Sequence, residues 1–160
     1  MVSSILEREC STWKAHHDLL QLHTEETLQF IDITVLIIDQ VRESGIVNGF
    51  VNIQTKHTTT AIIVNEHEPL LIEDMKRNLE RISPQYLSYQ HNDFSIRTTN
   101  LTPDEHENGH SHCKAMLLRT SETINIVDGL LQLGRWQRLF FIELDCARAR
   151  EISVMVMGLT

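Results

Sequence analysis

Phe50-Val51-Asn52-Ile53-Gln54-Thr55-Lys56 is followed by His57-Thr58-Thr59-Thr60 and then by Ala61-Ile62-Ile63-Val64-Asn65. Side chains alternate across a strand. The first run therefore puts Phe50, Asn52, Gln54 and Lys56 on one face and Val51, Ile53 and Thr55 on the other, as in a half-covered strand. The third run is nearly all apolar and β-branched, which predicts a central strand covered on both faces. The polar His57-Thr58-Thr59-Thr60 run bridges the two strands.

Upstream, Asn48-Gly49 is a turn signal. Before it, Thr34 is read as the cap of a helix over Val35–Ser44, with Gly45 as its stop. Val35, Ile38 and Val41 recur at three-residue spacing and are expected to face the core, with Ile37 nearby. His17–His23 and Leu28–Asp32 read as two strands around the polar turn Thr24–Thr27.

Downstream, Glu66-His67-Glu68-Pro69 opens a second helix. Pro69 suits the first helical position, and the acids complement the positive helix end. Leu71, Ile72, Met75, Leu79 and Ile82 form its apolar stripe, and Ser83-Pro84 ends it. Residues 83–109 carry no regular pattern beyond a short strand expected over Phe94–Thr98. A connection this long is uncommon unless it carries function. From His110 the chain reads as strands: His110–Arg119, Thr123–Val127, Trp136–Asp145 and Glu151–Gly158, with turns at Asp128-Gly129 and Gly134. Two helices among about eight strands predict an α+β domain.

At 160 residues the chain is long enough for one domain with a real core. Apolar content of 41% and charged content of 22% are ordinary for a globular protein. A net charge of −8 disfavours nucleic acid or an anionic membrane as the main partner. No apolar run approaches the roughly 20 residues that span a bilayer. The first ten residues lack the apolar core of a signal peptide, so a cytoplasmic location is expected. Cys10, Cys113 and Cys146 form no CxxC pair and are expected to be reduced thiols.

The most chemically loaded stretch is His106-Glu107-Asn108-Gly109-His110-Ser111-His112. On a strand, His110 and His112 would share one face about 7 Å apart. With His57 they could ligate a divalent metal such as zinc, leaving one position for water. A metal-free polar cleft serves the same imidazoles equally well. Glu66, at a strand–helix junction, could act as acid or base if burial raises its pKa, or simply favour the helix end. Asn65 and Asn108 could orient a substrate or a water. Arg148 and Arg150, at alternate positions, could grip a phosphate through forked hydrogen bonds, helped by Lys56 and the hydroxyls of Thr58, Thr59 and Thr60. They could equally form a surface turn paired with acids. His91 and His106 carry weaker signals. A glycine-rich phosphate loop, a dinucleotide fingerprint and a nucleophile elbow do not occur in the sequence.

These segments together resemble the YjbQ-like family, also called the secondary thiamine-phosphate synthase family. The matching pieces are His57 to Glu66, Glu68-Pro69-Leu70-Leu71, His91-Asn92-Asp93, Asn108 to His112, and Glu143-Leu144-Asp145 with the paired arginines. The most specific is Ser121 to Gln137, which ends in Gly134-Arg135-Trp136-Gln137. The resemblance spans roughly residues 17–158, so 1–16 are taken as an N-terminal extension and 17–160 as the domain. Many members have Thr or Ser in place of Arg135, and a Gly-Pro pair in place of Cys146-Ala147.

The resemblance implies a mostly antiparallel, β-sandwich-like core with two main helices, assembled as a homotrimer. It implies a cleft near a subunit boundary. His57, Glu66, Asn108 and His112 would be catalytic there, and Lys56, Thr58, His91, Arg148 and Arg150 would bind substrate. His57, His110 and His112 would hold a divalent metal, zinc or magnesium. The implied activity is a secondary thiamine-phosphate synthesis, joining a pyrimidine methyl diphosphate to a thiazole phosphate. The alternatives are a metal-dependent hydrolase or lyase, and a non-catalytic trimer that binds a phosphorylated metabolite.

Overall fold

Eight strands pair into two antiparallel sheets in a computed structural model that describes residues 12–160. Sheet A runs β1 (Trp13–His23), β8 (Ala149–Leu159), β3 (Asn48–Thr55), β5 (Ser121–Val127), β6 (Leu130–Leu131). Sheet B runs β2 (Gln29–Asp32), β7 (Gln137–Glu143), β4 (Thr60–Glu66). Trp13 pairs with Leu159, so residues 13–16 of the stretch read as an extension belong to sheet A. Of the expected N-terminal extension over 1–16, residues 1–11 lie outside the described part.

The core lies between the sheets. Val51 and Ile53 of β3, Ile152, Val154 and Val156 of β8, and Ile126 of β5 meet Ile62, Leu139 and Phe141 of sheet B. Helix α1 (Thr34–Ser44) adds Ile37 and Val41 to the same cluster. The second cluster covers the other face of sheet B, where Ala61, Phe140, Ile142 and Leu144 meet Leu79 of α2 (Pro69–Ile82). Residues Leu139 to Glu143 of β7 are therefore fully buried in succession. The architecture is α+β with two packed antiparallel layers, as expected.

Four local readings need correction. β7, not β4, is the strand covered on both faces; β4 is an edge strand of sheet B, and its Ile63 and Val64 are half-exposed. Helix α1 is rotated from the expected stripe: Val35 is 69% exposed while Ile37 is fully buried. The Thr34 hydroxyl accepts the Leu139 backbone N–H at 2.9 Å instead of capping α1, and this tie to β7 fixes which side faces the core. Phe94–Thr98 is a set of turns held by Asp93, whose carboxylate accepts from the backbone N–H of Ser95.

The fourth concerns His110. Residues Gly109–Ala115 form a helix, α3, followed by turns, and not a strand. Lys114-Ala115-Met116-Leu117-Leu118 is a run of strong helix formers. Lys114, with no exposed surface, reaches Glu80 of α2 at 2.8 Å and clamps α3 to it. The expected second helix stands as read: Pro69 opens α2, and the Glu68 carboxylate accepts the N–H groups of Leu70 and Leu71.

Candidate functional site

Where β3 hands over to β4, the chain turns through His57-Thr58-Thr59 beside the start of β8. This corner, the 91–108 segment and α3 enclose a cavity of about 440 Å³. Lys56, His57, Thr58, His91, Asn108, His112, Arg148 and Arg150 line it. Eight of the ten residues expected to be catalytic, substrate-binding or metal-ligating thus converge, from four separated parts of the chain.

His57 is fixed from behind. The Glu151 backbone N–H donates to its Nε2 at 2.9 Å, which leaves the proton of the neutral ring on Nδ1. Burial, then the nearby Arg150 charge, push its pKa below the usual histidine value. His112 packs edge-to-face against His91, ring centroids 4.7 Å apart. Burial, then the His91 charge, lower its pKa too. Both shifts favour the neutral ring, in which His57 presents its Nδ1–H as a donor.

Two buried polar atoms here have no partner among the described residues: His91 Nε2 and Asn108 Oδ1. An unpaired buried group costs about 1–3 kcal/mol, so each is a ready contact for a ligand.

The cations are braced by carboxylates. Arg150, 3% exposed, makes a bidentate pair with fully buried Glu143, through Nε and Nη2 at 2.6 Å each. Its Nη2 also donates to Thr59 Oγ1. Arg148 donates to Asp145, Cys146 and His106. Burial would lower its pKa, but Cys146 and Asp145 hold it above the ordinary arginine value. Lys56 meets Glu151 at 2.7 Å.

Arg97 and Glu105 also line the cavity and were not picked out in the sequence. They pair at 3.1 Å, and Arg97 also holds the carbonyls of His91, Thr99 and Asn100. Both fall in the segment without periodicity, so no local pattern pointed to them. Glu143 did leave a signal: an acid inside an apolar strand requires a counter-charge.

Glu66 and His110 are not in the cavity. Glu66 ends β4 at the opposite edge, exposed beside Asn65, Arg135 and Trp136. His110 is 2% exposed on α3 and faces away from His112, because positions two apart on a helix are about 200° apart. Its Nδ1 lies 3.0 Å from Ser111 Oγ and 3.4 Å from Lys114 Nζ. An ammonium beside a ring nitrogen opposes a metal ion there, so His57, His110 and His112 do not fit as one ligand set. Among the described residues, the donor atoms that do cluster are those of His106, Asp145 and Cys146.

Residues 18–159 match the family described as UPF0047 protein YjbQ-like. The chain belongs to the YjbQ-like family. A UPF0047 protein of Methanothermobacter thermautotrophicus is 38% identical over 139 residues, covering 87% of this chain and 90% of that protein. UPF0047 protein YugU of Bacillus subtilis is 30% identical over 142 residues, covering 87% and 97%. The crystal structure of a YbjQ-like protein of unknown function from Sulfolobus solfataricus superposes with a TM-score of 0.82 at 32% identity, over 92% of this chain and 99% of that one. Among the described residues of this YjbQ-like chain, no helix is long and apolar enough to cross a membrane.

Proposed function

We propose that this YjbQ-like protein is a cytoplasmic enzyme for a phosphorylated small molecule, with thiamine-phosphate synthesis as a secondary activity. One observation carries the reading: a single cavity gathers Lys56, Arg97, Arg148 and Arg150 in a protein of net charge −8. Cations collected against the sign of the whole favour an anionic ligand. Their carboxylate partners hold them in place, which is the preorganisation that charge stabilisation requires.

In the secondary reaction, the bond from the pyrimidine methylene carbon to the diphosphate oxygen breaks. The thiazole nitrogen supplies the electron pair for the new C–N bond, and pyrophosphate leaves with the electrons of the broken one. Arg148 and the uncommitted Nη1 of Arg150 take up the leaving charge, and Lys56 and Thr58 hold the second phosphate. His57 donates from Nδ1. Asn108 Oδ1 accepts from a ligand N–H or O–H, and the neutral His112 ring donates an N–H hydrogen bond to the departing pyrophosphate, with no proton changing hands. No step is assigned to a metal.

The reading includes a homotrimer. A solvent-facing depression that mixes Ile63, Val64, Leu117, Leu118 and Ile124 with Asn65, Arg119, Glu122 and Gln137 offers it a contact surface, mixed in character as subunit interfaces are. The assay supplies both precursors to purified protein and to His112→Ala. A loss of at least about 100-fold is expected if the His112 N–H stabilises the departing charge. Equal activity in the two proteins removes His112 from the mechanism.

A further inference from the structure

His106, Asp145 and Cys146 sit behind Arg148, at the wall of the cavity. Each offers one ligand atom, and all three atoms lie within 4.8 Å of one another. We propose that this trio binds a single thiophilic divalent cation of the zinc class, and that the Arg148 guanidinium competes for the same place.

The spacing fits. Tetrahedral zinc, with bonds of about 2.3 Å to sulfur and about 2.0–2.2 Å to nitrogen or oxygen, sets its S···N edge near 3.5 Å and its N···O edge near 3.4 Å. Cys146 Sγ lies 3.5 Å from His106 Nε2, and the Asp145 oxygens lie 3.0 and 3.2 Å from that nitrogen. The donors already face a common point, because a cationic nitrogen stands among them. Arg148 Nη2 is 3.0 Å from Cys146 Sγ, 2.9 Å from His106 Nε2 and 3.3 Å from Asp145 Oδ2.

The surroundings suit a metal. The Asp145 side chain is 2% exposed, so its charge demands a cation close by. Its Oδ2 also accepts from Asn108 Nδ2 at 3.4 Å, a support that ligating carboxylates commonly have. Cys146 is half-buried and the His106 side chain 40% exposed, which leaves a solvent side for access and for a fourth, water ligand. A thiolate, an imidazole and one carboxylate select zinc-like ions over magnesium or calcium. The site depends on Cys146 for its thiolate ligand.

The test uses tag-free, full-length protein and cobalt(II) alone. One equivalent should bind with a thiolate-to-cobalt charge-transfer band that zinc(II) bleaches. Cys113→Ser keeps the band and Cys146→Ser abolishes it. Zinc affinity in Cys146→Ser should fall by more than the about 10–100-fold that an outer partner commands. Arg148→Met, which removes the competing cation, binds more tightly. If Cys146→Ser does not fold, His106→Ala, altered at a part-exposed side chain, must show the same loss. Absence of the band in both wild type and Arg148→Met, or its persistence without Cys146, overturns the proposal. No anion enters the experiment, so its outcome is separate from the phosphate reading.

Discussion

His110 carries a pH consequence. It is buried, and burial followed by the Lys114 charge depresses its pKa. Between that lowered value and the unfolded value near 6.5, the unfolded chain binds more protons. Stability contributed by the neutral ring is therefore complete above about pH 6.5 and is lost as pH falls through the folded pKa. Thermal melts stepped downward from pH 7.5 should show wild type losing Tm faster than His110→Gln below about pH 6.5. Identical pH slopes would contradict a buried neutral His110. The Glu143–Arg150 pair has a larger effect. Both partners are buried, and removing one leaves a charge without compensation, at a cost of about 3–5 kcal/mol. Denaturant unfolding of Glu143→Gln should show a loss of that order, and a loss under about 1 kcal/mol would mean the pair is solvated.

Strands and helices differed in how well they could be read from sequence, and the reasons are physical. The α2 signals are local: Pro69 at the first position, Glu68 on two free N–H groups, an apolar stripe behind them. Such signals act within one turn and so show in sequence. The rotation of α1 is set by β7, 105 residues away, through the Leu139 N–H to Thr34 bond. No local periodicity contains that. The seven residues of α3 are short enough that alternation and helical patterns compete, and its partners Asn92, Glu80 and Leu144 decide the outcome.

Gly109 shows how close that packing is. Its N–H donates to Asn92 Oδ1 at 2.8 Å, and a Cβ there would lie 2.6 Å from the Tyr89 Cβ and 2.9 Å from Asn92 Oδ1. Gly109→Ala must push the 89–92 turn away from α3, and with it His91 from His112. Overpacking of this kind costs about 1–3 kcal/mol. The variant should melt earlier and lose ligand affinity together. Unchanged affinity with unchanged Tm would show that the turn moves freely.

For the whole molecule, the fold class was legible because strand alternation and two helix signals suffice for it. The cavity was legible only in its contents. His57, His91, Asn108, His112 and the two arginines are distant in sequence, and the antiparallel pairing of β8 with β3 and the docking of α3 bring them together. His110 was misplaced because face assignment changes when a strand becomes a helix. Glu66 was misplaced because it stands at the far end of a strand whose near end borders the cavity.

The molecule's excess of acid means that an anion must be drawn to one place against the general field. Isothermal titration with pyrophosphate, at low and high salt and with chelator present, measures this directly. The account predicts one site per chain, weakened by salt, with affinity at least about 10-fold lower in Arg148→Gln as a charge-assisted bond is lost. No binding, or binding as strong in Arg148→Gln as in the unaltered protein, would contradict it.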